Sequence, residues 1–229
     1  MSETEIYQVK RLAESAPAQV YPYIKRLIDL AICALALIWL LPIMGLIALA
    51  IVLDSPGSFL FVQTRIGKDG RPFRIYKFRT MSSNYDSSED RKYMAAFVAG
   101  IAGPNKDGEG KTTFKPAMDS HITRVGRFLR KSSLDELPQI WNVLRGDMSL
   151  IGPRPNVPWE VEQYTEIQRQ RLAVLPGITG LAQVRGRSNV TFQEIVEHDL
   201  DYVRRQSFML DMQILWWTVA QVLGQQDAG

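Results

Sequence analysis

The sequence predicts an α-rich α+β fold carried on a proline-broken N-terminal membrane helix hairpin, and three observations predict it. Residues 30–53 read LAICALALIWLLPIMGLIALAIVL, with no charge and with Pro42 near their centre. Two short runs rich in β-branched and aromatic residues, 59–66 and 73–78, flank Gly67-Lys68-Asp69-Gly70. Beyond residue 120, apolar residues recur at helical spacing in successive stretches.

Composition sets the limits. The chain has 229 residues, 46% of them hydrophobic, 22% charged and 10% aromatic. That length suits one domain, or one domain with an attachment segment, and suffices for a buried core. The apolar and aromatic content excludes a disordered chain. Cys33 is the single cysteine, which excludes a disulfide scaffold. A mean hydropathy of −0.10 argues against a multi-span membrane protein. The formal net charge of +3 gives no global case for nucleic acid as a partner. The chain divides into a polar and basic lead-in at 1–24, the membrane hairpin at 25–56 and a soluble part at 57–229.

About 20 apolar residues cross a bilayer core, so 30–53 is long enough to be embedded in lipid. It begins too far into the chain, and runs too long, for a cleaved signal peptide. Pro42 removes a backbone hydrogen bond and crowds the preceding turn, which predicts a break there. Lys10, Arg11, Lys25 and Arg26 precede the run, and Arg65, Lys68, Arg71, Arg74, Lys77 and Arg79 follow it. A spanning helix normally carries its positive charge on one side. Positive charge at both ends predicts a hairpin that enters and leaves by one face, its basic flanks on anionic headgroups. An ordinary kinked span is the alternative.

In the soluble part, 59–66 and 73–78 form a small β-hairpin. Residues 82–89 read as a loop, 91–101 as a short helix, and 100–118, rich in Gly, Pro and Lys, as a connection. Helices are predicted over 122–131, 135–144, 159–172, 192–205 and 209–223. The last carries Trp216 and Trp217, which suit a helix lying on the bilayer surface or one packed into the core.

Some motifs fail. Gly108-Glu109-Gly110-Lys111-Thr112 resembles the end of a phosphate-binding loop, but Asn105 stands where its first glycine belongs. Two histidines, His121 and His198, and one cysteine cannot build a typical zinc site.

The densest chemistry lies in residues 123–155, TRVGRFLRKSSLDELPQIWNVLRGDMSLIGPRP. Ser133 and Glu136 fit a capping box. Starting the helix instead with Asp135 as N-cap places Pro138 where its missing donor costs little, and leaves at least one carboxylate free. A helix mouth suits phosphate oxygens, and Arg130 and Arg154 can add bidentate contacts. Adjacent carboxylates among arginines point to metal binding, to nucleophilic attack on phosphorus, or to both. The plain alternative is that Asp135 and Glu136 pair with surface arginines.

The order of motifs resembles one family. Lys25-Arg26-Leu27-Ile28-Asp29, the Pro42-broken run and Leu53-Asp54-Ser55-Pro56-Gly57 come first. Tyr76-Lys77-Phe78-Arg79-Thr80-Met81, Ser133-Leu134-Asp135-Glu136-Leu137-Pro138-Gln139, residues 146–155 (GDMSLIGPRP) and Pro176-Gly177-Ile178-Thr179-Gly180 follow. Over residues 25–219 the chain resembles the bacterial sugar transferases, the monotopic polyprenyl-phosphate phosphoglycosyl transferases, in a minimal catalytic form. The resemblance implies transfer of a phosphosugar from a UDP-sugar to polyprenyl (undecaprenyl) phosphate, with release of UMP, at the cytoplasmic face of a bacterial inner membrane. It makes Asp135 the nucleophile of a covalent phosphosugar-aspartate intermediate and Glu136 the ligand of Mg2+. It puts Arg130 and Arg154 near the phosphates, Arg187 near the nucleotide, and Lys77 and Asp211 close to the site. Two departures stand out: Leu41 precedes the hairpin proline where the family often has serine, and residues 83–120 look longer than in compact members.

Two readings compete with this one. Asp199-Leu200-Asp201 matches the DxD of metal-dependent glycosyltransferases that release UDP, although residues two apart on a helix do not share a face, so the pair reads as a solvated helix face. A basic peripheral membrane protein without enzymatic activity is the other. The expected partners are the UDP-sugar, the polyprenyl phosphate and membrane lipids, with no nucleic acid. A homo-oligomer is compatible with the sequence.

Overall fold

A computed structural model describes residues 20–82, 88–100, 105–106, 112–113, 121–186 and 190–224. Helix α1 (Tyr21–Asp54) opens the described fold, with Pro42 inside it. It is long and apolar enough to cross a membrane. One stripe of α1, running through Lys25, Asp29, Cys33, Leu37, Leu40, Met44, Ile47 and Ile51, packs on the soluble body. These positions are three or four residues apart, the period of one helix face. The opposite face stays apolar and exposed, with Leu35, Trp39, Leu46 and Leu53 each at least 66% accessible. The helix continues through Pro42 where the sequence predicts a break.

Both ends of α1 are tied to the same body. Near its start, Lys25 Nζ lies 2.6 Å from Asp211 Oδ2, and Asp29 accepts from Ser149 Oγ at 2.7 Å and Leu150 N at 3.3 Å. At its end, Asp54 accepts from Val125 N at 3.0 Å, and Arg79 donates to the carbonyls of Ser55 and Pro56 at 2.6 and 2.8 Å. Arg79 therefore caps the negative end of the helix. For four of the flanking cations this corrects the reading as a surface for headgroups. Lys25 is buried, Arg26 donates to the Val143 and Leu144 carbonyls, and Lys77 and Arg79 are held internally. Lys68, Arg71 and Arg74 remain exposed, while Lys10 and Arg11 lie outside the described residues.

Strands β1 (Leu60–Ile66) and β2 (Pro72–Phe78) form the antiparallel hairpin the sequence predicts, in register from Leu60↔Phe78 to Ile66↔Pro72. The turn carries Asp69 and Gly70 at positive φ, the left-handed region that Asp tolerates and Gly favours. Helix α2 (Ser88–Val98) starts three residues before its predicted position. In the stretch expected to be only a connection, β3 (Asn105–Lys106) pairs with β4 (Thr112–Thr113); the rest of 101–120 lies outside the described residues.

Helix α3 (Arg124–Lys131) is capped by Thr123, whose hydroxyl accepts from Gly126 N at 2.9 Å. A Cβ on Gly126 would come 2.1 Å from the Thr80 carbonyl oxygen, so glycine lets α3 cross the end of the hairpin. The expected helix over 135–144 divides into a 3-10 turn at Leu134–Glu136 and helix α4 (Gln139–Arg145). Ser133 turns the chain through the left-handed region, and Pro138 has no N–H with which to fuse the two pieces. Neither expected cap forms: the Ser133 side chain caps nothing, and Asp135 sits within the turn.

Strand β5 (Ser149–Ile151) then pairs in parallel with β6 (Gly177–Thr179). A Cβ on Gly177 would meet Gly152 N at 2.1 Å, so this crossing also needs glycine. The expected helix over 159–172 is broken into α5 (Pro158–Glu162), α6 (Glu166–Arg169) and a 3-10 turn at Gln170–Ala173. Thr165 restarts it with a capping box of its own. Short α7 (Leu181–Arg185) leads to α8 (Phe192–Arg205), which has the predicted bounds, and α9 (Phe208–Leu223), one residue longer than predicted. Helix α9 packs into the core through Leu210, Ile214 and Trp217, as one of its two readings expects, while Phe208, Met209 and Trp216 stay exposed.

Candidate active site

Four segments converge on Asp135 and Glu136: strand β2, helix α3, the 3-10 turn, and the Gly152-Pro153-Arg154-Pro155 loop that follows β5. Lys77 reaches Glu136 from β2, Nζ to Oε1 2.6 Å. Both terminal nitrogens of Arg154 donate to the same oxygen at 3.3 Å. Burial pushes the Glu136 carboxyl up, but Arg154 and Lys77 overcome it and hold the group at about 2. Glu136 is thus a fixed anion, with one oxygen spent on two cations.

Asp135 differs. Its carboxylate accepts no hydrogen bond from any described residue, and only charges act on it at a distance. Burial pushes its pKa above the usual aspartate range; Glu136 adds to the rise, while Lys77, Arg154 and Arg130 oppose it. An ionised carboxylate so placed is under-solvated and not locked in a pair, as a nucleophile requires.

The supports are structural. Asn142, fully buried, accepts from Tyr76 N at 3.1 Å and donates to the Arg74 carbonyl at 2.6 Å, pinning β2 to α4. Arg130 donates Nε to Thr80 Oγ1 at 2.9 Å, and it is among the cations acting on Asp135. The Arg154 loop is held by β1: Arg65 donates to the Pro155 carbonyl at 3.1 Å, and Ile66 N to the Asn156 carbonyl at 2.8 Å.

Of the residues the sequence singles out, Asp135, Glu136, Arg130, Arg154 and Lys77 are brought together. Asp211 is not part of this group. It accepts from Tyr21 (2.6 Å), Lys25 (2.6 Å) and Tyr202 (2.9 Å) in a separate buried network that fastens α1. Arg187 lies outside the described residues. Asp199 and Asp201 point apart: Asp199 is buried against Arg171, and Asp201 pairs with Arg205 at 3.2 Å. The reading of both as a solvated face is therefore corrected for Asp199, and together they offer no shared metal site. Sequence reasoning missed Arg65 and Asn142. The two-residue period of β1, counted from the hairpin register, was the available signal for Arg65.

Among the described residues, no three His, Cys, Asp or Glu side chains gather as a metal cage. Asp135 and Glu136 still suit magnesium, which takes hard oxygens from one or two carboxylates and completes its shell with water and substrate phosphate. Both Asp135 oxygens and the second Glu136 oxygen make no hydrogen bond to the described residues.

An apolar helix, long enough to cross a membrane, is thus bolted to a body that gathers a free carboxylate among cations, an arrangement chemically suited to anionic groups. The model of the bacterial sugar transferase family matches residues 20–225. The exopolysaccharide production protein ExoY of Sinorhizobium fredii is 39% identical over 198 residues, 86% of this chain and 84% of that protein. The uncharacterized sugar transferase EpsL of Bacillus subtilis is 40% identical over 201 residues, 87% of each. The UDP-glucose:undecaprenyl-phosphate glucose-1-phosphate transferase of Xanthomonas campestris is 40% identical over 214 residues, 89% of this chain and 40% of that protein. The chain thus spans well under half the length of some curated relatives it matches. It belongs to the bacterial sugar transferase family.

Proposed function

We propose that the protein is a sugar-1-phosphate transferase that moves a phosphosugar from a UDP-sugar to undecaprenyl phosphate and releases UMP. The observation that carries this is Asp135, a carboxylate without a described hydrogen-bond partner beside a second carboxylate fixed by Lys77 and Arg154. The substrate classes, a UDP-sugar and undecaprenyl phosphate, are those of the Xanthomonas campestris relative, a UDP-glucose:undecaprenyl-phosphate glucose-1-phosphate transferase.

Two in-line displacements follow. An Asp135 oxygen attacks the β-phosphorus; the bond to the bridging oxygen breaks, and its electron pair leaves with UMP. A phosphate oxygen of the lipid then attacks the phosphosugar-aspartate, and Asp135 is freed as a carboxylate. Lys77 and Arg154 keep Glu136 ionised, and Arg154 and Arg130 turn donors toward the diphosphate. Magnesium, held by Glu136, would neutralise charge on the diphosphate.

Membrane geometry serves the same chemistry. A 34-residue helix is about 51 Å long at 1.5 Å per residue, yet both ends of α1 are tied to one soluble body. A crossing helix would carry its ends to opposite sides of the bilayer, so we read α1 as monotopic and re-entrant from the cytoplasmic face, its path bent without a break at Pro42. One substrate is then reached from water and the other from lipid.

The test is nucleotide release from a panel of UDP-sugars with undecaprenyl phosphate and magnesium in nanodiscs. UMP release that is lost in Asp135→Asn supports the reading, and the mass of intact protein incubated with donor alone should rise by one phosphosugar. Release of UDP instead, or full activity in Asp135→Asn, would sink it.

A further inference from the structure

Arg65 is an internal cation that the fold leaves without a counter-ion of its own. In the hairpin register Phe61 stands opposite Lys77, so Phe61, Gln63 and Arg65, alternating along β1, share the face that carries Lys77. The Arg65 guanidinium donates to the Pro155 carbonyl at 3.1 Å and to Gln63 Oε1 at 2.7 Å, both neutral acceptors. Its Nε is buried and has no hydrogen-bond partner.

The carboxylates within electrostatic reach are engaged elsewhere. Glu160 accepts from Asn156 Nδ2 at 2.6 Å and from Val157 N at 3.4 Å, while Glu136 serves Lys77 and Arg154. Arg154 is the neighbour that most opposes the Arg65 charge: burial first, then Arg154, brings the guanidinium down to about 10. Two guanidiniums that repel each other, one of them bonded only to neutral acceptors, are a poor arrangement for an empty fold. They suit an anion that both can grip, and the planar fork of arginine matches phosphate oxygens.

We propose, resting on the reaction above for the identity of the anion, that Arg65 is a further substrate-binding residue which, with Arg154, holds the phosphate that departs with the nucleoside. The first displacement places a new negative charge on the former bridging oxygen, now an oxygen of UMP. Arg65 and Arg154 meet that charge. The same grip makes UMP a product that competes with the donor.

The experiment measures equilibrium binding of UMP, inorganic pyrophosphate and uridine to the full chain in nanodiscs by calorimetry. Wild type, Arg65→Gln and Arg65→Lys are compared, each also carrying Asp135→Asn so that no turnover intervenes. Loss of one charge-assisted contact weakens UMP and pyrophosphate about tenfold or more in Arg65→Gln. Uridine affinity stays unchanged, and Arg65→Lys falls between. Unchanged UMP affinity in an Arg65→Gln protein that melts cooperatively would overturn the assignment and leave Arg65 as a brace for Pro155. Where Arg65→Gln does not fold, Arg65→Lys decides, since it keeps the charge and loses the fork: weaker UMP at constant uridine supports the site, and equal UMP overturns it. An absence of UMP release in turnover, with pyrophosphate binding that still depends on Arg65, would remove the proposed reaction and leave the anion site standing.

Discussion

At the start of α1, Asp211 is 3% exposed and accepts from Tyr21, Lys25 and Tyr202, whereas Asp135, at its 3-10 turn, accepts from no described residue. Both aspartates stand close to a lysine and to a second acid, Asp29 in one case and Glu136 in the other. In the first cluster each carboxylate is saturated: Asp29 is also taken up by Ser149 and Leu150. In the second, Glu136 draws the direct contacts of Lys77 and Arg154, which leaves Asp135 free and under-solvated. Saturation fastens a helix to a body, and incompleteness makes a site. Residue type does not separate these roles; the count of satisfied hydrogen bonds does.

That contrast can be broken most sharply at Asp135. Asp135→Asn should reduce UMP release by about four orders of magnitude, as expected when a nucleophile is removed. It should also raise the melting temperature at neutral pH. The folded state prefers Asp135 protonated, so stability falls as pH rises from the unfolded pKa and the full penalty is present above the folded pKa; the amide removes it. An inactive variant that melts lower than wild type would contradict the account of Asp135 as a strained, unpaired group.

Asp211→Ala should act on stability. Removing one partner of a buried pair costs about 3–5 kcal/mol, and here two tyrosine hydroxyls lose an acceptor as well. Chemical denaturation in detergent measures it. A variant that keeps its stability but loses donor binding would return Asp211 to the site.

Lys77→Met tests how the two carboxylates divide the work. Activity should fall about a hundredfold, within the range for loss of one electrostatic stabiliser, and the acid limb of kcat/KM should move to higher pH. The sign follows from the charges: the ionised form of Asp135 reacts, Lys77 leads the charges that oppose its rise, and losing Lys77 lets the pKa climb further. Glu136, held at about 2, remains ionised throughout the wild-type limb. An acid limb that stays in place would show that it does not report Asp135.

Asn142→Ala should cost roughly 1–3 kcal/mol by leaving buried backbone groups unpaired, with a smaller loss of activity as β2 and Lys77 loosen. Asp201→Asn marks the bottom of the scale. Its exposed pair with Arg205 is worth under about 1 kcal/mol, and activity should match wild type. A loss of metal-dependent activity in that variant would revive the DxD reading.

Much of this was legible because it rests on local signals. The apolar run, the hairpin with its Gly-Lys-Asp-Gly turn, and helix α8, whose Thr191 and Glu194 form a capping box, depend on residues a few positions apart. Asp135 and Glu136 stood out through their adjacency among arginines. The sequence misplaced what depends on long-range pairing. The helix expected over 159–172 breaks because Thr165 caps a new start and Arg171 is drawn into a buried pair with Asp199. The parallel pairing of β5 with β6 joins three-residue segments that carry no pattern of their own. Basic residues counted as a membrane-facing flank turned inward, since a cation next to an apolar run can serve a helix end or a buried acid as readily as a lipid headgroup.

Period, length and adjacency are written along the chain, so reading it was enough to join an apolar helix to an α-rich body and to single out two adjacent carboxylates as the candidates for chemistry. Only the tertiary structure decided which acid is saturated and which is free. It put Asp211 under α1, turned Asp199 into the core, and brought Lys77 and Arg154 onto Glu136 from positions 59 and 18 residues away. Hydrogen-bond satisfaction is a property of neighbours in space, and it is that property which leaves Asp135 able to react.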